Sequence, residues 1–260
     1  MKKLALAVSV FAAAAVPALA ADLAPRYSKA PAIVVDPAYD WSGFYVGGHV
    51  GGGWGRKDWA ALDTFTNSTF PIASFAIDGF LGGVQGGYRY QSGRWVFGVD
   101  GSFSWANIKG SVPCLVGETC SSQAQWTGNV TGQLGWAADR VLFYVKGGAA
   151  WVHEKHDISG IGFAVPVLDA PLIGTNFNAN GGETRLGWLL GGGIAYAIDR
   201  NWSGFVEYNY MDMGNHRLSL ACTPAATCVG GIIPVDIEQH VHVFKGGFNY
   251  KFGGPIVAKY

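Results

Sequence analysis

Residues 94–105, RWVFGVDGSFSW, set Trp95, Phe97, Val99, Gly101, Phe103 and Trp105 on one side of a strand. Val96, Gly98, Asp100, Ser102 and Ser104 fall on the other, because strand side chains alternate faces with a period of two. In a soluble sheet the aromatic side would be the core and Asp100 would meet water. Seven further runs share this alternation, so that eight strands are predicted over 42–54, 79–90, 94–106, 124–137, 140–153, 184–198, 201–213 and 239–252. Tight connections at 91–94, 137–140 and 198–201 alternate with long ones at 55–78, 107–123, 154–183 and 214–238. Short turns on one rim and long loops on the other are the arrangement of an outer-membrane barrel.

The tryptophans decide which face is outside. Trp54, Trp105, Trp126, Trp151 and Trp188 lie at the strand ends that meet long loops, and Trp95, Trp136 and Trp202 lie beside the tight turns. All eight fall in the apolar register, and Trp41 just precedes the first strand. Trp95 and Trp105 are ten residues apart, as are Trp126 and Trp136. Ten residues at ~3.3 Å each, tilted by ~40°, rise about 25 Å, the height of a lipid-facing band with an aromatic girdle at each interface. A soluble core gathers indoles centrally rather than in two rings. The sequence therefore predicts an all-β, eight-stranded antiparallel up-and-down transmembrane β-barrel, with short periplasmic turns and four long external loops.

Composition agrees. Charged residues make up 14% of the chain, against ~25% in ordinary soluble domains. After residue 20 no apolar run approaches the roughly 20 residues of a spanning helix. The N-terminus, MKKLALAVSVFAAAAVPALA, has two lysines, an apolar run and Ala18-Leu19-Ala20, which is a secretory signal over 1–20. Removing Lys2 and Lys3 leaves 16 basic against 18 acidic residues, with no basic block to suit nucleic acid. Residues 21–40, with Pro25, Pro31 and Pro37, are expected to form a periplasmic linker. The barrel occupies 41–252 and a short periplasmic tail 253–260.

Two segments, YDWSGFYVGGHVGGGWG (39–55) and HVHVFKGGFNYKF (240–252), carry a resemblance. With the signal peptide, they make the chain similar to the small outer-membrane β-barrel family of alphaproteobacteria, which includes porin-like surface antigens and some hemin-binding proteins. The resemblance implies a monomeric barrel in the cell outer membrane, with outer-membrane lipid, lipopolysaccharide and the assembly machinery as its partners. It supplies no catalytic residues. Such barrels usually end on an aromatic of the last strand, here Phe252, whereas this chain runs on to Tyr260.

The opposite face of the strands collects Arg89, Lys146, Lys245 and Lys251 against Asp100 and Glu207. In so narrow a lumen these charges must be paired, hydrated or shifted in protonation. They form either a polar plug or the lining of a narrow, mildly anion-preferring pore, and Glu207 is expected beside Lys245. Cys114 and Cys120, and Cys222 and Cys228, each enclose five residues within a predicted external loop, the pattern of two intraloop disulfides in an exported protein. His153-Glu154-Lys155-His156-Asp157 falls one residue short of the zinc-protease spacing. On a strand its two histidines point to opposite faces, so no metal is expected, although an exposed histidine could ligate heme iron. The Asn67-Ser68-Thr69 sequon is short enough to arise by chance. Nothing in the sequence calls for a cofactor or an enzyme. Envelope structure and loop display are the leading reading, with a small-solute pore or a hemin-binding surface receptor as the alternatives.

Overall fold

The computed structural model describes residues 39–63, 68–115, 117–162, 175–224 and 231–253. The signal segment, most of the linker, the tail from 254, Asn67 and Cys228 lie outside the described residues. The strands are β1 (Gly43–Asp63), β2 (Ser68–Ser92), β3 (Trp95–Leu115), β4 (Glu118–Ala138), β5 (Val141–Gly162), β6 (Thr175–Ala197), β7 (Trp202–Thr223) and β8 (Ile232–Lys251). Each pairs antiparallel with the next, and β1 pairs with β8 to close the ring. Among the described residues no helix is long and apolar enough to cross a membrane.

The three tight turns fall where the sequence places them. Two are two-residue connections with a left-handed residue, Gly93 at φ 62° and Asp139 at φ 52°, the conformation whose twist matches the flanking strands. In the third, Asp199 Oδ1 accepts from the backbone N–H of Trp202 at 2.7 Å and of Asn201 at 2.8 Å. Those two bonds hold its carboxyl below the usual carboxylate range.

The other rim departs from expectation. Most of the residues assigned to four long loops continue the strands, which reach 20–25 residues. A strand of 21 residues rises roughly 50 Å along the axis, about twice the height of the apolar band. Above the band water lies outside, so the polarity of the two faces reverses. On β1 the apolar side chains point out up to Trp54 and inward at Trp59 and Ala61. On β3 the change comes with a bulge between Trp105 and Ile108, after which Ile108 is buried and Lys109 exposed. This phase reversal looks like a broken pattern when only one phase is followed.

The faces are otherwise as predicted. Trp105 is 62% exposed, and Trp54, Trp95, Trp136, Trp188 and Trp202 are likewise open, with Trp126 and Trp151 half-buried on the same outer face. Trp95 stands opposite Trp136 and Trp105 opposite Trp126 in the pairing register, so the two rings are level across β3 and β4. Trp41 and Trp59 point inward, where they belong to the lower and upper core respectively.

Candidate functional site

The chain's concentrated chemistry lies in its lumen, and β5 and β8 give the order of its layers. Upward from the periplasmic side, the inward residues of β5 are Leu142, Tyr144, Lys146, Gly148, Ala150, Val152, Glu154, His156 and Ile158. Those of β8 are Asn249, Gly247, Lys245, Val243, Val241, Gln239, Ile237, Val235 and Ile233. Above Leu142, both strands run from polar to apolar, to polar, and to apolar again. Below them Trp41, Val96, Leu142, Ala195, Ala197 and Phe205 pack into an apolar floor.

The first polar layer holds five of the six predicted lumenal charges. Lys146 Nζ lies 3.0 Å from Asp100 Oδ1 and 2.9 Å from Glu207 Oε1, and Lys245 Nζ lies 3.3 Å from that same Glu207 oxygen. Glu207 and Lys245 are directly opposed across β7 and β8. Tyr45 Oη donates to Asp100 Oδ2 at 2.8 Å and Tyr144 Oη to Glu207 Oε2 at 2.9 Å. Arg89 Nε donates to Gln133 Oε1, and its guanidinium sits 4.3 Å from the centre of the Tyr45 ring. These carboxylates are paired from two sides, which is what a desolvated charge requires. Lys251 is not among them. It is half-buried at the periplasmic mouth, bonded to the Asp40 carbonyl and 4.4 Å from the centre of the Tyr39 ring. As the last residue of β8, it sits below the floor.

A second charged layer lies beyond the upper girdle and was missed from the sequence. Lys57 Nζ donates to Glu154 Oε2 at 2.7 Å and Gln239 Nε2 to Glu154 Oε1 at 2.8 Å, with the Glu154 side chain 0% exposed. Arg185 pairs with Glu183 and donates to the Ile237 carbonyl. His156 Nδ1 shares a 2.9 Å hydrogen bond with Ser122 Oγ, and its ring meets Trp59 edge-on. Burial, with Lys57 and Arg185 nearby, pushes this imidazole below its ordinary range. Lys57, Glu154 and His156 lay in stretches read as loops, which hid their inward orientation. The signal was present as Glu154 and His156 two residues apart, the spacing of one strand face.

His153 points outward and stacks on Trp126, with ring centres 5.5 Å apart, so the two histidines of the pentapeptide take opposite faces as expected. Among the described residues no three His, Cys, Asp or Glu side chains are grouped to hold a metal. Cys114 and Cys120 are joined across the β3–β4 tip, and Cys222 is also disulfide-bonded. Thiol titration of the denatured, unreduced mature protein is expected to find no free thiol. Four would overturn both bridges.

The match to known proteins follows this geometry. Residues 4–252 match the family model described as outer membrane protein beta-barrel domain. The chain belongs to that family. Its relatives include the 31 kDa outer-membrane immunogenic protein of Brucella melitensis, 31% identical over 97% of this chain and 100% of the relative. The 22 kDa outer membrane protein of Rhizobium leguminosarum is 29% identical over 68% of this chain and 67% of its own length. Of solved structures, the outer membrane protease OmpT from Escherichia coli aligns with a TM-score of 0.51 at 8% identity, covering 83% of this chain and 98% of that one. The last is a likeness of fold alone. Family membership places this protein in the cell outer membrane.

Proposed function

We propose that this outer-membrane protein is a closed, non-conducting, non-enzymatic barrel that holds a stiff β-walled collar at the cell surface. One observation carries the reading: the Asp100–Lys146–Glu207–Lys245 network crosses the lumen between an apolar floor and an apolar layer. An ion moving along the axis would have to break buried pairs and then pass side chains that offer it no ligand. The immunogenic character named for the Brucella relatives suits a chain whose strands stand well clear of the membrane. Ser122, His156 and Glu154 form a series that resembles a hydrolase, with Glu154 Oε2 3.7 Å from His156 Nε2. All three are at least nine-tenths buried, which favours a packing role.

The protein works as a monomer in contact with outer-membrane lipid and lipopolysaccharide. Phe252, whose N–H donates to the Phe44 carbonyl at 2.8 Å and whose ring is exposed on the lower girdle, is the residue offered to the assembly machinery. In planar-bilayer recording the purified protein is expected to give no reproducible single-channel steps. Regular steps that persist across preparations would replace this reading with a small-solute pore.

A further inference from the structure

Above the membrane the pairing of β6 with β7 is interrupted, although Gly187 still lies against Asp212 and Gly181 against Leu220. β6 and β7 pair from Ala197 and Ser203 up to Trp188 and Asp212, and again from Asn180 and Ala221 to Asn178 and Thr223. Between these stretches, residues 181–187 pair with β5 and residues 215–220 with β8, but the two segments do not pair with each other. The split starts at the upper girdle. Within lipid it would strand main-chain donors and acceptors, whereas here water can serve them.

Exposure along the split is uneven. Directly opposed residues of an antiparallel pair share a face. His216 opposes Ile237, yet Ile237 is 0% exposed and His216 lies open to solvent. Glu183 opposes Glu154, and again the residue beside the split is the more exposed, at 15% against 0% for the side chains. Behind this rim lies the second charged layer. Four of its polar atoms have no hydrogen-bond partner within the protein: Arg185 Nη2, His156 Nε2, Gln239 Oε1 and Trp59 Nε1. Each belongs to a side chain at least nine-tenths buried, and polar atoms so buried are normally satisfied.

We propose that the split between β6 and β7 is a side port, through which water and small uncharged hydroxylic molecules reach this polar layer. The class follows from the free atoms. Lys57 and Arg185 are balanced by Glu154 and Glu183, so an ion of either sign would meet like charge. The unpaired atoms comprise both donors and an acceptor, and a hydroxyl group both accepts and donates. Entry is from the aqueous exterior, above the layers that seal the lumen. The port is therefore compatible with a barrel that conducts nothing across the membrane.

Alkylation of single cysteines in the folded, full-length protein tests this, with the native cysteines left oxidised. Gln239→Cys and Ile158→Cys replace side chains of nearly equal burial, one in the polar layer and the other in the apolar core. Iodoacetamide, small and neutral, is expected to modify Gln239→Cys about ten-fold faster than Ile158→Cys, which reacts only through local opening. Adding Leu218→Trp at the rim is expected to remove that difference, and a polymer-linked maleimide to leave Gln239→Cys unmodified. Equal rates at the two positions, or a fast rate indifferent to Leu218→Trp, would overturn the port. Heat-modifiable migration on gels verifies that each barrel is folded. If Gln239→Cys fails to fold, His156→Cys replaces it under the same comparison. Channel activity is not part of the readout, so failure here is separate from failure of the closed-barrel reading.

Discussion

Replacing Lys146 with methionine is expected to lower the unfolding free energy by about 3–5 kcal/mol, the usual cost of removing one partner from a buried ion pair. Lys146 is the only cation within 4 Å of Asp100 among the described residues, and it shares Glu207 with Lys245. Methionine fills a similar volume, so packing is largely kept and the loss falls mainly on the uncompensated Asp100 carboxylate. Urea unfolding in lipid vesicles, followed by tryptophan fluorescence, measures it. Changing Asp100→Asn in the same chain is expected to restore most of the loss, because the stranded charge is then gone and Glu207 keeps Lys245 as its partner. If the double variant is as unstable as Lys146→Met alone, shape rather than charge holds this layer together.

The second large effect belongs to the inner glycines. A Cβ on Gly83 would stand 2.0 Å from the Phe103 carbonyl oxygen and 2.6 Å from Ser104 Cα. Both are backbone atoms of the paired strand and cannot rotate away. The adjacent outward-facing Gly82 meets nothing closer than 3.6 Å. A narrow, strongly coiled barrel brings neighbouring backbones together on its inside and parts them on its outside. Gly83→Ala is therefore expected to cost about 1–3 kcal/mol or more, as overpacking does, while Gly82→Ala is nearly neutral. Equal stability of the two variants in the same unfolding assay would refute this account.

Much of the fold could be read from the chain because the membrane imposes two simple constraints. Lipid requires an unbroken apolar face, and the two interfaces fix indoles a set distance apart, so Trp95 and Trp105 alone orient β3. Asp100 then had to point inward, and the Glu207–Lys245 contact followed from the strand registers. Above the upper girdle both constraints lapse. Lys57, Glu154 and Arg185 remain on the inner face, but the outer face now carries Asp58, Lys155 and Thr184, so no apolar stripe marks the strand. Bulges on β4 between Ala124 and Trp126 and on β7 near Gly214 shift the alternation by one residue and conceal it further. The place of Lys251 was missed for a different reason. Alternation assigns a residue to a face but not to a depth, and the terminal residue of a strand is at the mouth whichever face it takes.

The long staves described above limit how such a protein can change in stature. Lengthening the exposed part means adding residues to two neighbouring staves together, and in even numbers, because a single insertion would turn every later side chain inside out. An odd insertion survives only where a bulge absorbs it. Related chains of different height are therefore expected to differ in matched pairs of residues flanking the outer hairpin tips, with unpaired differences confined to the bulge positions.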